Sequence, residues 1–319
     1  MLLSCSKSLR VVLAGALLLA VGCGSDDEPD PTTTGTTDTG DTTDTGDTDP
    51  PEPPPTTFGG DRPAELTVPD SYDGTTALPL VMMLHGFDSR PLYWAGNFAF
   101  ADMANNHDVF VLAPFGTQNE DGVHFWNGTD ACCDDGSNVD DAAYLIALLD
   151  EISDVYEVDA GAVFLLGHSN GAFMSHRMAC EHADRIAAIA SVAGATFDTA
   201  TDCAPSEPVH VLQIHAYGDE VISYEGGTLG EEQVPYPGAV RTTELWAGYN
   251  GCGDAQALQT DMLNLTGPGE DAETDITPFA DCPATGDVEL WSIGESSHLP
   301  LLIPNAQTEI ATWLLAHTK

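Results

Sequence analysis

The segment that most restricts the fold is Val163-Phe-Leu-Leu-Gly167-His168-Ser169-Asn170-Gly171-Ala-Phe-Met-Ser-His-Arg-Met178. Four apolar residues require a buried strand, and the stretch after Gly171 has helical composition, so the chain must reverse within five residues. A serine on so sharp a strand-to-helix turn needs small neighbours, because the backbones that meet there leave no space for side chains. Gly167 and Gly171 supply them. The start of the helix also directs main-chain N–H groups at the serine, an arrangement suited to a developing negative charge. Ser169 is therefore a candidate nucleophile, and the Asn170 N–H a candidate oxyanion donor.

Other short apolar runs repeat the strand signal: Leu80–Leu84, Val109–Leu112, Val163–Leu166, Val209–Ile214 and Val288–Ile293. Runs apolar at nearly every position belong in a sheet covered on both faces. Helical patterns separate them. Asp140-Asp141 can cap a helix with apolar positions at Ala143, Ile146, Ala147, Leu149 and Ile152; another helix runs from about Gly171 to His182, and a last one from about Ile310 to Ala316. Strand–helix alternation predicts an α/β fold with a mostly parallel sheet and helices on both faces.

In such a fold the nucleophile, acid and base follow in the order Ser, Asp/Glu, His, on loops after strands. Asp219 follows the Val209–His215 run and is the expected acid, with Glu220 as the alternative. His298 follows the Val288–Ile293 run, precedes the terminal helix and is the expected base. His85-Gly86-Phe87 directly follows the Leu80–Leu84 run, so the Phe87 N–H is the expected second oxyanion donor and His85 orients the loop. His176 and His182 are expected to be solvated or structural, and His317 too close to the terminus to be held.

The N-terminal part reads differently. Lys7 and Arg10 precede an apolar run from Val11 to Val21 that is too short to span a bilayer, which marks residues 1–22 as an export signal. Ala20-Val21-Gly22-Cys23 resembles a bacterial lipobox, so Cys23 is expected to carry a lipid and hold the protein at the cell envelope; ordinary cleavage would release it instead. From Gly24 to Thr57 the chain has no aliphatic or aromatic residue, no Cys and no Lys or Arg. Such a segment has nothing to bury, and residues 23–57 are expected to form a disordered acidic tether. Residues 58–319 then constitute one catalytic domain.

Charge excludes several partners. The whole chain has a formal net charge of -43, and residues 58–319 hold 41 acidic against six basic side chains. Nucleic acid and anionic lipid surfaces are both repelled by such a field, leaving a lipid at Cys23 as the one membrane attachment. Mutual repulsion that salt would screen suggests a saline habitat. The six cysteines of this region, Cys132, Cys133, Cys180, Cys203, Cys252 and Cys282, suggest three disulfides in an exported chain. Because adjacent cysteines bond each other poorly, Cys132 and Cys133 are expected to pair with Cys180 and Cys203, and Cys252 with Cys282. With no C-x-x-C and no H-E-x-x-H, no metal and no cofactor is expected.

The region from about Leu80 onward resembles the polyhydroxybutyrate depolymerase and feruloyl esterase-like family of α/β-hydrolases. The matching segments are LHGF (84–87), FWNGTDACCD (125–134), VDDAAYL (139–145), GHSNGAFMSHRMAC (167–180), GDEVISYEGG (218–227) and SHLP (297–300). The resemblance implies an exported serine carboxylic-ester hydrolase with Ser169, Asp219 and His298 as its triad. A small-molecule or oligomeric ester would be the substrate of a monomeric enzyme. Gly294-Glu-Ser-Ser-His298-Leu-Pro departs from the family's Gly-rich run before this histidine and the Trp after it, so the substrate-facing rim differs. Trp126, in the Phe-Trp-Asn loop, could line the acyl or alcohol pocket or belong to the core. A serine peptidase of the same fold and a non-catalytic surface-binding lipoprotein are the competing readings.

Overall fold

The computed structural model describes residues 53–90, 100–133, 137–266, 271–294, 296–300 and 302–319. The export signal, Cys23 and the tether as far as residue 52 lie outside the described residues. Pairing reaches back slightly before Phe58: the Leu66 N–H donates to the Thr56 carbonyl at 2.7 Å.

The strands are β1 (Thr57–Phe58), β2 (Ala64–Thr67), β3 (Leu78–Leu84), β4 (Phe110–Ala113), β5 (Thr117–Gln118), β6 (His124–Phe125), β7 (Val158–His168), β8 (Ala188–Val192), β9 (His210–Ala216), β10 (Gly226–Leu229), β11 (Val234–Pro237), β12 (Gln259–Leu263), β13 (Thr274–Pro278) and β14 (Val288–Ile293). The described α-helices are α1 (Phe100–His107), α2 (Asp141–Ser153), α3 (Asn170–Glu181), α4 (Ala239–Asn250) and α5 (Pro304–Ala316). Ten strands form one sheet in the order β1-β2-β4-β3-β7-β8-β9-β14-β13-β12. From β4 to β14 every pairing is parallel, while both edges are antiparallel.

Both faces of the sheet are covered, as near-continuous apolar strands require. Leu80, Met82 and Leu84 of β3 pack with α2, α3 and α4, whereas Val81 and Met83 face α1 and α5. Strand geometry accounts for the division, since successive side chains point to opposite faces. The expected face of α2 is corrected by this packing. Leu145, Leu148, Leu149 and Ile152 are buried together with Ala142, while Ala143 and Ala147 are exposed, because the leucines remove more apolar surface from water than the alanines do. Asp140 caps α2, accepting from the Ala143 N–H at 3.0 Å.

The cysteine pairing also departs from expectation. Cys180 bonds Cys203 and Cys252 bonds Cys282, but Cys132 bonds its neighbour Cys133 instead of reaching Cys180 or Cys203. The cause is helix length. Cys132 Sγ lies 3.5 Å from the side-chain Nδ2 of Asn170, at the start of α3, whereas Cys180 is near its end. Ten residues of helix separate those points by about 15 Å, far beyond a disulfide's reach.

Candidate active site

Ser169 ends the crossing from β7 to α3 with a positive φ of 52° and a ψ of -121°. A Cβ on Gly171 would stand 2.1 Å from the Leu84 carbonyl oxygen, and one on Gly167 would stand 2.2 Å from that of Gly171. Both glycines are thus required by direct contact between main chains. The same closeness brings the loop after β3 against the nucleophile turn: a Cβ on Gly86 would lie 3.4 Å from Ser169 Cβ.

The expected acid and base meet Ser169 from two other loops. His298 Nε2 is 2.9 Å from Ser169 Oγ, and His298 Nδ1 is 2.9 Å from Asp219 Oδ2. These residues lie 129 and 79 positions apart from His298 in sequence. Parallel β7, β9 and β14 bring them together because all three loops leave the same end of the sheet. The Asp219 side chain is fully buried. Its Oδ1 accepts from the Val221 and Ile222 N–H groups at 2.9 and 2.8 Å. Burial alone would raise its carboxyl, but hydrogen bonds from His215 and His298 and the charge of His298 outweigh that cost and hold it well below the usual carboxylate range. The arrangement can therefore keep an anion beside an imidazole that gains a proton.

Glu220, the alternative acid, is exposed, and no bond ties it to His298. Asn170 opens α3, and its buried side chain is occupied structurally: Oδ1 accepts from the Trp126 N–H and Nδ2 donates to the Trp126 carbonyl, both at 2.7 Å. That leaves its main-chain N–H in the first helical turn, where α-helices have no internal acceptor. Phe87 is about half exposed beside the nucleophile turn. His85 is buried, accepts from the Gly116 N–H at Nε2 and contacts the Gly86 carbonyl through Nδ1, a loop-orienting role. Burial, the leading cause, pushes its imidazole down to about 4.

Trp126 lies in the core, the second of its two expected places. Expected to line the pocket or to join the core, it is fully buried and packs with Leu84 and Met174. Its indole donates to the His85 carbonyl at 3.0 Å, so the polar end of the ring faces inward and binds two loops of the site to each other. His317 is likewise held: it stacks on Trp313 and lies 3.3 Å from Asp287 Oδ2. His210, Asp287 and His317 bring ligand-type atoms within 4.8 Å of one another. That trio sits where β9 and β14 begin, the end of the sheet away from Ser169. His210 Nδ1 there accepts from the Asp287 N–H and His317 Nδ1 contacts the Trp313 carbonyl.

Two histidines that sequence reasoning passed over belong to the site. His168, beside Ser169, has its Nε2 2.9 Å from the main-chain carbonyl of His298. His215, at the end of β9, has its Nε2 3.3 Å from Asp219 Oδ2. A histidine four residues before the acid, on a strand end, was the available signal for the second.

A family model described as esterase PHB depolymerase matches residues 68–240, a span that includes Ser169 and Asp219 and stops before His298. The chain is 28% identical over 239 residues to feruloyl esterase B of Piromyces equi, covering 72% of this chain and 41% of that protein. It is 24% identical to a probable feruloyl esterase C of Aspergillus clavatus, covering 78% of this chain and 80% of the relative. It thus spans about two fifths of the Piromyces protein's length. Among solved structures, acetyl xylan esterase from Aspergillus awamori superposes with a TM-score of 0.57 at 14% identity, over 80% of this chain and 94% of the other. That likeness establishes the shared fold.

Proposed function

The chain belongs to the PHB depolymerase esterase family, and from that premise we propose that it is an exported serine carboxylic-ester hydrolase working through Ser169, His298 and Asp219. The observation that carries the reading is the continuous relay from Ser169 Oγ to His298 Nε2 and from His298 Nδ1 to Asp219 Oδ2, both contacts 2.9 Å. His298 takes the Ser169 proton as Oγ attacks the ester carbonyl carbon. The Phe87 and Asn170 N–H groups donate to the resulting oxyanion. The tetrahedral intermediate collapses, the alkoxide leaves with the proton from His298, and an acyl-serine remains. Water, deprotonated by the same imidazole, then releases the acid and restores Ser169. Asp219 stays ionised and stabilises the imidazolium.

The substrate class follows the relatives: an acyl ester of aromatic or acetyl type, small or oligomeric. Residues 1–22 direct export, and Cys23 anchors the chain by a lipid at the cell envelope, with the residues between Cys23 and the start of β1 as the spacer. Mass spectrometry of the N-terminal peptide from the native host would detect acylation at Cys23; an unmodified peptide would remove the anchor from the proposal.

A panel of p-nitrophenyl acetate, p-nitrophenyl butyrate, methyl ferulate and hydroxybutyrate oligomers tests the activity, with Ser169→Ala as control. Ester turnover that vanishes in S169A supports the reading. Hydrolysis of an anilide as fast as its matching ester would make the enzyme a peptidase. Failure of a fluorophosphonate to label the protein would make it a non-catalytic lipoprotein.

A further inference from the structure

Behind Asp219 a line of buried polar side chains leads away from the triad into the core. Trp246 Nε1–H donates to His176 Nδ1 at 2.9 Å, and His176 Nε2 faces Gln213 Oε1 at 3.2 Å. Gln213 Nε2 donates to the Gly194 carbonyl at 2.9 Å and faces His215 Nδ1 at 3.3 Å. His215 Nε2 lies 2.8 Å from the Ile222 carbonyl and 3.3 Å from Asp219 Oδ2. Trp246, His176 and Gln213 are fully buried, and His215 is 1% exposed.

The direction of every bond in this line follows from its two ends. An indole N–H only donates, so His176 Nδ1 accepts and its Nε2 carries the proton. Gln213 must then turn Oε1 to His176 and its amide N–H groups to Gly194 and His215. That leaves His215 Nδ1 as acceptor and Nε2 as donor, which is what the carbonyl of Ile222 and the carboxylate of Asp219 require. Reversing any member would set two acceptors or two donors against each other in a dry interior, where an unmade hydrogen bond is expensive. Burial also keeps His176 neutral, its imidazole pushed down to about 4.

We propose that His215 and Gln213 are positioning residues of the esterase: the line from Trp246 holds His215 as the neutral Nε2–H tautomer, whose N–H fixes the Asp219 carboxylate in the orientation that receives His298. The proposal rests on the esterase reading above. It assigns each carboxylate oxygen a bracket, with Oδ1 held by the Val221 and Ile222 N–H groups and Oδ2 shared between His298 and His215. The loop after β9 closes the bracket on itself, since Ile222 donates to Asp219 through its N–H and accepts from His215 through its carbonyl.

The test compares His215→Phe, His215→Gln and Gln213→Leu in the full chain, using kcat and KM on a p-nitrophenyl ester and a thermal melt for each variant. Loss of the one Nε2–H that the Ile222 carbonyl and the Asp219 carboxylate share in His215→Phe is expected to lower kcat by about ten- to hundredfold, with KM within about twofold of wild type. His215→Gln, whose amide N–H can reach the same oxygen, should recover most of kcat. Gln213→Leu does not touch Asp219 and should still lower kcat by about threefold or more, because His215 loses the donor that fixes its tautomer. A folded His215→Phe or Gln213→Leu enzyme with wild-type kcat overturns the proposal, as does a His215→Gln enzyme no better than His215→Phe. If His215→Phe does not fold, Gln213→Leu alone decides. Absence of ester turnover by the wild-type chain would instead strike the esterase reading, and the wild-type control reports that separately.

Discussion

The imidazole of His168 is bonded to the main chain of His298: its Nε2 lies 2.9 Å from the His298 carbonyl oxygen, and the two rings are 5.0 Å apart. A carbonyl only accepts, so His168 carries its proton on Nε2. Burial, the largest effect, pushes its imidazole down to about 4 and keeps it from competing as a base. The residue next to Ser169 thereby holds the loop that carries His298. Replacing His168 with Leu should lower kcat by about two- to tenfold, the worth of one neutral hydrogen bond, with little change in KM. Steady-state kinetics of the folded variant would check this, and an unchanged kcat would mean that the loop is held by its other contacts.

Gly171→Ala tests the closeness of the nucleophile turn to β3. The added methyl would meet the Leu84 and His85 carbonyl oxygens at 2.1 and 2.6 Å, both main-chain atoms that cannot swing aside. Overpacking of this kind should cost about 3 kcal/mol, and the forced separation of Gly86 from Ser169 should reduce turnover as well. Urea denaturation would read the first effect and ester hydrolysis the second.

Acid should destabilise the fold well before it protonates the bulk of the carboxylates. His85, His168, His176 and His210 all have imidazoles pushed down to about 4, in each case chiefly by burial. Their unfolded values are near the ordinary 6.5, so between about pH 6.5 and 4 the unfolded chain binds protons that the folded chain does not. Stability therefore falls as pH falls through that window. The lowered carboxyl of Asp219 acts in the same direction at still lower pH. The urea midpoint should decline steadily from pH 7 to pH 4.5; a flat profile would mean that these imidazoles charge in place.

Salt should have the opposite effect. With 41 acidic and six basic side chains in residues 58–319, most surface charges have only like charges to face. The formal net charge of -43 makes self-repulsion a general destabilising influence that counterions relieve. The melting temperature should rise as sodium chloride increases from about 10 mM, where the screening length is near 30 Å, to 1 M, where it is near 3 Å. A melting temperature that is level or falls over this range would remove the inference of a saline habitat.

Much of the fold was legible along the chain because its signals are local. Five of the parallel strands show as apolar runs, the Asp140 cap and α3 follow from short patterns, and the order of Ser169, Asp219 and His298 follows from which run each succeeds. Signals weaker in sequence went unread. β8 is a short alanine-rich run, and α4 buries Thr242 and Thr243 together with Leu245 and Trp246. The buried face of α2 differs from the expected one for a related reason. Spacing alone allows several rotations of a helix, and the surface it meets selects one.

Sequence alone determined the elements whose causes lie within a few residues: the strand–turn–helix at Ser169, the two glycines that permit it, and the composition break at Thr57. Tertiary structure decided whatever depends on distances through space. Only the packed chain puts Cys132 a helix length from Cys180, turns Trp126 inward, and aligns Trp246, His176, Gln213 and His215 behind Asp219. The physical reason is that hydrogen-bond and disulfide partners are selected within a few ångströms in the folded state, and the sheet brings together residues that are a hundred or more positions apart.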